Sequence, residues 1–359
     1  MPHLPGVIVV LMLLAAPVSA WAYYVAPNGD DSADGSARHP WATIQHAADM
    51  VKPGDTVHVA SGEYHQALNS KASGTPEARI RFVSDIRWGA KIRTVGSKLI
   101  WVNHGDYVDI EGFDISGDGW YGIANRASHV RIVGNRIHDI PARDSGSNGG
   151  AAIENANYSG RDSDIIGNVV YNIGNLESSD PRVHGIYIAN LGGHIVNNIA
   201  YRCQAWGIHS WHAARDAVVA NNLVFENERG GIIVGNGDAP GGVLADNFLV
   251  TNNIAIHNKG YGIIEYGDQV GTHNRYLNNL VFGNELGGLH LLHSNLEQGT
   301  VAADPKLVNY RPDGTGDYHL GPGSPAIEAG TRLGTPGTDF DGVIRPQGAS
   351  VDIGPFEHR

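Results

Sequence analysis

One phrase recurs through the middle of this chain and limits what it can fold into: a short apolar run, then Gly-Asn or Asn-Asn, then a second apolar run. It reads Ile132-Val133-Gly134-Asn135-Arg136-Ile137, then Ile165-Ile166-Gly167-Asn168-Val169-Val170, then Ile195-Val196-Asn197-Asn198-Ile199-Ala200. Further copies centre on Asn221-Asn222, Asn252-Asn253 and Asn278-Asn279, so successive copies lie 24 to 33 residues apart. A second phrase alternates with the first. Gly122-Ile123, Gly185-Ile186, Gly207-Ile208, Gly231-Ile232, Gly262-Ile263 and Gly288-Leu289 each open an apolar run, and Ala152-Ile153 fills the same slot.

Two strand phrases per step of this length are the signature of a parallel β-helix, an all-β solenoid of stacked coils. No coil buries its inward side chains alone, so neighbours share one core. Asn at a fixed corner can bond its own backbone, tolerate the left-handed conformation there and reach the coils above and below. The Leu spacing of a leucine-rich repeat is absent. Composition agrees: 48 glycines and only 17% charged residues suit short strands and tight turns, and 42% hydrophobic residues suffice for a continuous core. The pattern Ile44, Ala47, Ala48, Val51 within Trp41 to Val51 predicts an amphipathic α-helix, stopped by Pro53-Gly54, that caps the first coil and shields its edge. After about residue 300 the Asn phrase stops and Pro and Gly become frequent. The expected organisation is one domain: a capped β-helix over residues 23–300 and a C-terminal capping segment over 301–359.

Residues 1–22 read as a secretory signal. Val7 to Ala16 is apolar, and Val18-Ser19-Ala20 and Ala20-Trp21-Ala22 offer the small residues a signal peptidase needs. The apolar run is shorter than the ~20 residues of a spanning helix, so a secreted or periplasmic protein is expected, with no membrane attachment once the signal is removed. Cys203 is the single cysteine, which excludes an intramolecular disulfide and reads as a buried side chain. The formal net charge of -12 argues against a nucleic-acid partner. An anionic ligand would need local Arg or Lys.

The ends of the chain carry a resemblance. Tyr23-Tyr24-Val25-Ala26-Pro27-Asn28-Gly29, Pro40-Trp41-Ala42-Thr43-Ile44-Gln45, Pro53-Gly54-Asp55-Thr56-Val57 and Gly62-Glu63-Tyr64 resemble the N-terminal cap of right-handed β-helix proteins that include polysaccharide lyase family 9. Gly316-Asp317-Tyr318-His319-Leu320, Gly323-Ser324-Pro325-Ala326-Ile327, Asp339-Phe340-Asp341-Gly342 and Asp352-Ile353-Gly354-Pro355-Phe356-Glu357 are similar to the tail of many secreted proteins of that group. The resemblance implies a right-handed parallel β-helix and a pectate-lyase-like character. Such lyases use a Lys base beside a calcium cluster of Asp residues. Here Lys259 is the one lysine between Lys98 and Lys306, and no tight Asp cluster accompanies it. No catalytic residue is therefore carried over.

Strand alternation supplies the candidate site. If the Ile after each Gly points inward, the next residue points outward: Ala124, Glu154, Tyr187, His209, Ile233, Ile264 and His290 in successive coils. With coils about 4.8 Å apart, Glu154, Tyr187 and His209 form a line on one face. Trp211 and Tyr266 follow two residues on, and His184 and His212 flank the row. Arg143, Asp144, Asp180 and Arg182 lie in the loops that lead in. Such a groove suits an acidic polysaccharide, since Arg forks bind carboxylates and Tyr and His exchange protons. The roles assigned are His209 or His184 as base, Tyr187 as acid or second base, and Arg182 or Arg143 on the substrate carboxylate. Glu154, Trp211, His212, Tyr266 and His290 are assigned to substrate binding.

Other signals are weaker. Asp30, Asp31 and Asp34 lack the spacing of an EF-hand loop and read as a polar turn. His209 and His212 lack a third metal ligand. The run Arg79, Arg81, Arg87, Lys91, Arg93 and Lys98 reads as a solvated edge. No cofactor is expected, with calcium left open, and a monomer is expected. The leading function is a secreted polysaccharide lyase that cleaves a uronic-acid-containing polysaccharide by β-elimination. The alternatives are a glycoside hydrolase using Glu154 with Asp144 or Asp180, an epimerase, and a non-catalytic glycan-binding surface or matrix β-helix.

Overall fold

The computed structural model describes residues 20–143 and 145–359. Most of the expected signal, residues 1–19, and Asp144 lie outside it. The chain winds as a right-handed parallel β-helix with three sheets of eleven, nine and nine strands. Every neighbouring pair in these sheets is parallel and one coil apart, as in the run Arg131–Val133, Asp164–Ile166, His194–Val196 of the first sheet. Each full coil thus holds three strands. The Asn phrase is two of them with a corner between, as in Arg131–Val133 and Arg136–Ile140, and the Gly phrase is the third, as in Val183–Ile188.

The corner between the first and third sheets explains the Asn pair. Its first residue is left-handed: Gly134 and Gly167 have φ of 63°, and Asn197, Asn221, Asn252 and Asn278 have φ of 57°, 54°, 53° and 50°. Gly and Asn bear this conformation at the least cost. The second residue is always Asn and points into the solenoid, fully buried. Asn135, Asn168, Asn198, Asn222, Asn253 and Asn279 form an amide ladder, each Nδ2 donating to the next Oδ1 at 2.9–3.1 Å. From Asn168 on, each Oδ1 also accepts the backbone N–H of the Asn one coil before, as Asn222 does for Asn198 at 2.8 Å, and Asn135 Oδ1 accepts that of Phe113. Shorter ladders run through Asn103, Asn125, Asn155 and Asn190, and through Asn227, Asn258 and Asn284.

Where the first residue of the pair is Asn rather than Gly, its amide reaches outward to the C-terminal segment. Asn197 bonds Thr338, Asn221 bonds Asp352 and Gly354, Asn252 bonds Thr331 and Thr335, and Asn278 bonds Ala329. The segment lies over the third sheet, whose outer face changes character along the axis. Lys91, Arg93, Asp114, Arg136 and His138 face outward in the early coils. Ile199, Tyr201, Leu223, Phe225 and Ile254 take their place later, and pack against Tyr318, Leu320, Ile353 and Phe356 of the segment. Burying that apolar stripe attaches the segment.

The capping helix is shorter than the sequence suggests, Ile44–Met50 rather than Trp41 to Val51. Thr43 caps it by accepting from the His46 N–H, and Asp31 accepts from Ala42 and Thr43 N–H at 2.8 and 2.9 Å. Trp41 instead sits in extended backbone, buried against Tyr23 with Nε1 donating to Ala33. Asp31 thus serves the helix start, while Asp30 and Asp34 close turns at Ser32 and Ser36. Arg79 and Arg81 of the basic run form ion pairs with Asp109 and Glu111.

Asn222→Ala should test the ladder. It leaves the Asn198 N–H and the Ile195 carbonyl buried without partners, and should lower stability by about 3 kcal/mol in chemical denaturation. A loss below about 1 kcal/mol would contradict a structural role for the ladder.

Candidate active site

The Gly-phrase sheet brings the outward row together. Cα partners run Ala124, Glu154, Tyr187, His209, Ile233, Ile264, His290 through successive coils. A second row runs beside it: Tyr121, Ala151 and His184 are partners, and Trp206, Gly230 and Tyr261 continue it. Glycine makes the second row possible. A Cβ on Gly185 would sit 2.5 Å from the Gly207 carbonyl oxygen and 2.9 Å from Cys203 Sγ, so this residue faces the core, as Ile186 does next to it. With two successive positions turned inward, His184 and Tyr187 on either side both face outward, onto one groove.

Three rings form the centre of that groove. His209 Nδ1 lies 2.8 Å from His184 Nε2, and the Tyr187 ring packs on both, with centroids 5.4 Å from His184 and 5.3 Å from His209. His184 is only 4% exposed. Burial, then the nearby Arg229 guanidinium, pushes the His184 pKa down to about 3. Burial, then His184 and His212, holds His209 well below its usual range. Both imidazoles are therefore neutral, and the contact between them is one N–H donated to one lone pair. Burial raises the Tyr187 phenol, assisted by Tyr158 and Glu154, so it stays protonated at neutral pH.

Glu154, in the coil before Tyr187, is buried and forms an ion pair with Arg126. Burial raises its carboxyl pKa against the opposing pull of Arg126. On the other side His212 Nδ1 bonds Asp238 at 2.8 Å, and Tyr158 leans over His212 at 4.8 Å. Trp211 lies across the backbone of Gly235 and Gly267, with Tyr266 at 6.2 Å beside it.

Of the arginines assigned to the substrate carboxylate, Arg182 lines the groove but is held by Asp180, Nε and Nη2 lying 2.8 and 2.7 Å from its carboxylate oxygens. Arg143 stands exposed outside the groove wall, where its carbonyl accepts from Trp120. His290 is exposed at the far end and stacks on Tyr261 at 4.9 Å. The residue that sequence reasoning missed is Arg229. Its Nη2 donates to the Ser179 carbonyl, its charge reaches His184, and it has no carboxylate ion pair among the described residues. Arg126 and Tyr158 were also missed. Tyr121 and Trp206 were legible, since each precedes a Gly in the second row. Lys259 lines the groove too, but its ammonium sits 2.5 Å from Glu228, which raises its pKa and keeps it protonated. It is not a base at neutral pH. Among the described residues, no three His, Cys, Asp or Glu side chains converge as a metal site would require.

A family model described as the right-handed beta helix region matches residues 89–240 and 160–298, and the chain belongs to that family. A model for a protein of unknown function (DUF1565) matches residues 27–72. The uncharacterized protein YwoF of Bacillus subtilis (strain 168) is 41% identical over 59 residues, which is 16% of this chain and 13% of that protein. Among solved structures the chain is similar to pectate lyase Pel9A, at 18% identity and a TM-score of 0.66 over 94% of this chain and 96% of that one. It is also similar to a GH136 lacto-N-biosidase from Eubacterium ramulus, at 14% identity and a TM-score of 0.51 over 79% of this chain and 68% of that one. Both likenesses show the fold.

The neutral pair has a consequence for stability. His184 stays neutral in the fold down to about pH 3, whereas an unfolded His takes up a proton below about pH 6.5. The unfolded state then binds more protons, so stability falls as pH drops below that value, by up to about 1.4 kcal/mol per pH unit for each buried imidazole. Urea denaturation of His184→Phe/His209→Phe should show a shallower loss between about pH 6.5 and 5 than the parent. An unchanged slope would contradict a buried neutral pair.

Proposed function

We propose that this protein is an exported polysaccharide lyase, secreted or periplasmic, that cleaves a uronic-acid-containing polysaccharide by β-elimination. The observation that carries the reading is the His184–His209–Tyr187 cluster, with His184 buried and His209 and Tyr187 half-buried, at the floor of an open groove of about 1170 Å³ that Arg229 also lines. The pectate-lyase fold of its structural relative and the apolar N-terminal run support it.

Elimination requires a base for the C5 proton of the uronate, a cation for its carboxylate and an acid for the leaving O4. His209 donates Nδ1–H to His184 in the tautomer that leaves Nε2 with a lone pair, and Nε2 takes the C5 proton. The C5–H electrons form the C4–C5 double bond, the C4–O4 bond breaks, and O4 leaves with the Tyr187 phenol proton. The imidazolium then returns its proton to the phenolate, which restores both groups. Arg229 binds the carboxylate and stabilises the charge that develops beside it. A bound carboxylate also raises the His209 pKa from its depressed value, which strengthens the base once substrate is present.

The hydrolase alternative has one observation in its favour: burial raises the carboxyl pKa of Glu154, as for a general acid. Its ion pair with Arg126 works against that role. Asp180, the second carboxylate suggested for it, is committed to Arg182, and Asp144 lies outside the described residues.

Incubation with a panel of acidic polysaccharides should generate the ultraviolet absorbance of unsaturated ends. Tyr187→Phe and His209→Ala should each lower the rate by about 10²–10⁴ with unchanged circular dichroism. Arg229→Ala should lower kcat as well as raise KM, because it both holds the carboxylate and stabilises the charge that develops on it. Reducing ends without unsaturated ends would assign hydrolysis. Full activity of both Tyr187 and His209 variants would refute the site.

A further inference from the structure

We infer that the later coils of the groove select a polysaccharide whose uronates are separated by neutral sugars, and reject an unbroken run of uronates. The inference deepens the lyase reading and rests on it for the position of the uronate.

The groove changes character along the axis. In the coils of Glu154, Tyr187 and His209 the outward row is polar. In the next two coils the same slot holds Ile233 and Ile264, 3% and 7% exposed. At about 4.8 Å per coil, an apolar layer, itself almost covered, therefore underlies the groove for about 10 Å beyond His209. Aromatic rings stand on both sides of it: Trp206 and Tyr261 from the second row, Trp211 and Tyr266 from the strand ends. Tyr266 is 60% exposed, so its ring is open to a ligand. Ring walls over this apolar layer suit the C–H faces and the methyl or acetyl groups of neutral sugars.

The cations lie elsewhere. Arg229 belongs by sequence to the Ile233 coil, but its guanidinium turns back to the Ser179 carbonyl, on the groove wall that it shares with His184. Among the described residues, the remaining cation that lines the later coils is Lys259, already held by Glu228. A homouronan bound with one carboxylate at Arg229 would carry its next carboxylates along the ring-lined stretch over Ile233 and Ile264, where among the described residues no free cation compensates their lost hydration. A uronate followed by neutral sugars meets no such penalty.

Affinity electrophoresis of the intact protein tests this without relying on turnover. Two homouronans, polygalacturonate and polymannuronate, are compared with hyaluronate, which alternates glucuronate with N-acetylglucosamine, and gellan, which spaces glucuronate with glucose and rhamnose. The expected result is an apparent dissociation constant at least about tenfold lower for one of the mixed polymers than for either homouronan. Tyr266→Ala should weaken mixed-polymer binding severalfold. Equal or tighter binding of homouronans, or no binding to any polymer, overturns the inference. Unsaturated ends are measured on the same four polymers. Their appearance with a homouronan preference would overturn the inference and keep the lyase reading. A mixed-polymer preference with no unsaturated ends would overturn the lyase reading alone.

Discussion

Beyond the parallel strand pairing of the three sheets, the coils from Asn135 to Asn279 are aligned by one repeated contact, the Asn side chain that donates to one neighbouring coil and accepts from another. The ladder from Asn135 to Asn279 replaces backbone hydrogen bonds that each corner would otherwise lose. It also fixes register, because an amide that serves two coils accepts only one alignment. Register then decides everything on the outer faces, where residues far apart in sequence become neighbours. The same corner sets where the C-terminal segment lies. Left-handed Asn in the later coils offers its amide outward, and left-handed Gly in the earlier coils does not.

The groove inherits its chemistry from that alignment. A core-facing Gly beside a core-facing Ile turns both His184 and Tyr187 outward, and the next coil sets His209 against them. Packing three rings together removes water, and the loss of water keeps both imidazoles neutral and the phenol protonated. A neutral base beside a protonated acid is the pairing that β-elimination needs. The fold is shared by proteins of several activities, so the chemistry resides in the side chains and not in the architecture.

The sequence made the solenoid legible because its period is long, repeated and tied to two residue types with definite conformational reasons, Asn and Gly. It made the outward row legible because alternation is strict after the inward Ile. Three things were not legible. The Asn phrase holds two strands, and the corner between them shows only when φ is known. The helix starts at Ile44 rather than Trp41 because Asp31 and Thr43 cap it there, an interaction across loop backbone that apolar periodicity does not register. The electrostatic partners of the site came from neither phrase. Arg126 follows the end of one strand and Arg229 precedes the start of another, and long side chains from those positions cross coils. Arg182 sits close to the site in sequence, but Asp180, two residues before it, takes its charge.

The most direct test of the account is a crystal structure of the Tyr187→Phe variant soaked with an oligosaccharide containing uronate. The account predicts a chain lying along the coil axis, a uronate carboxylate on Arg229, C5–H directed at His209 Nε2 and the scissile O4 beside residue 187. A ligand bound on another face, or one in the groove with its carboxylate turned away from Arg229 and its C5 away from His209, would contradict it.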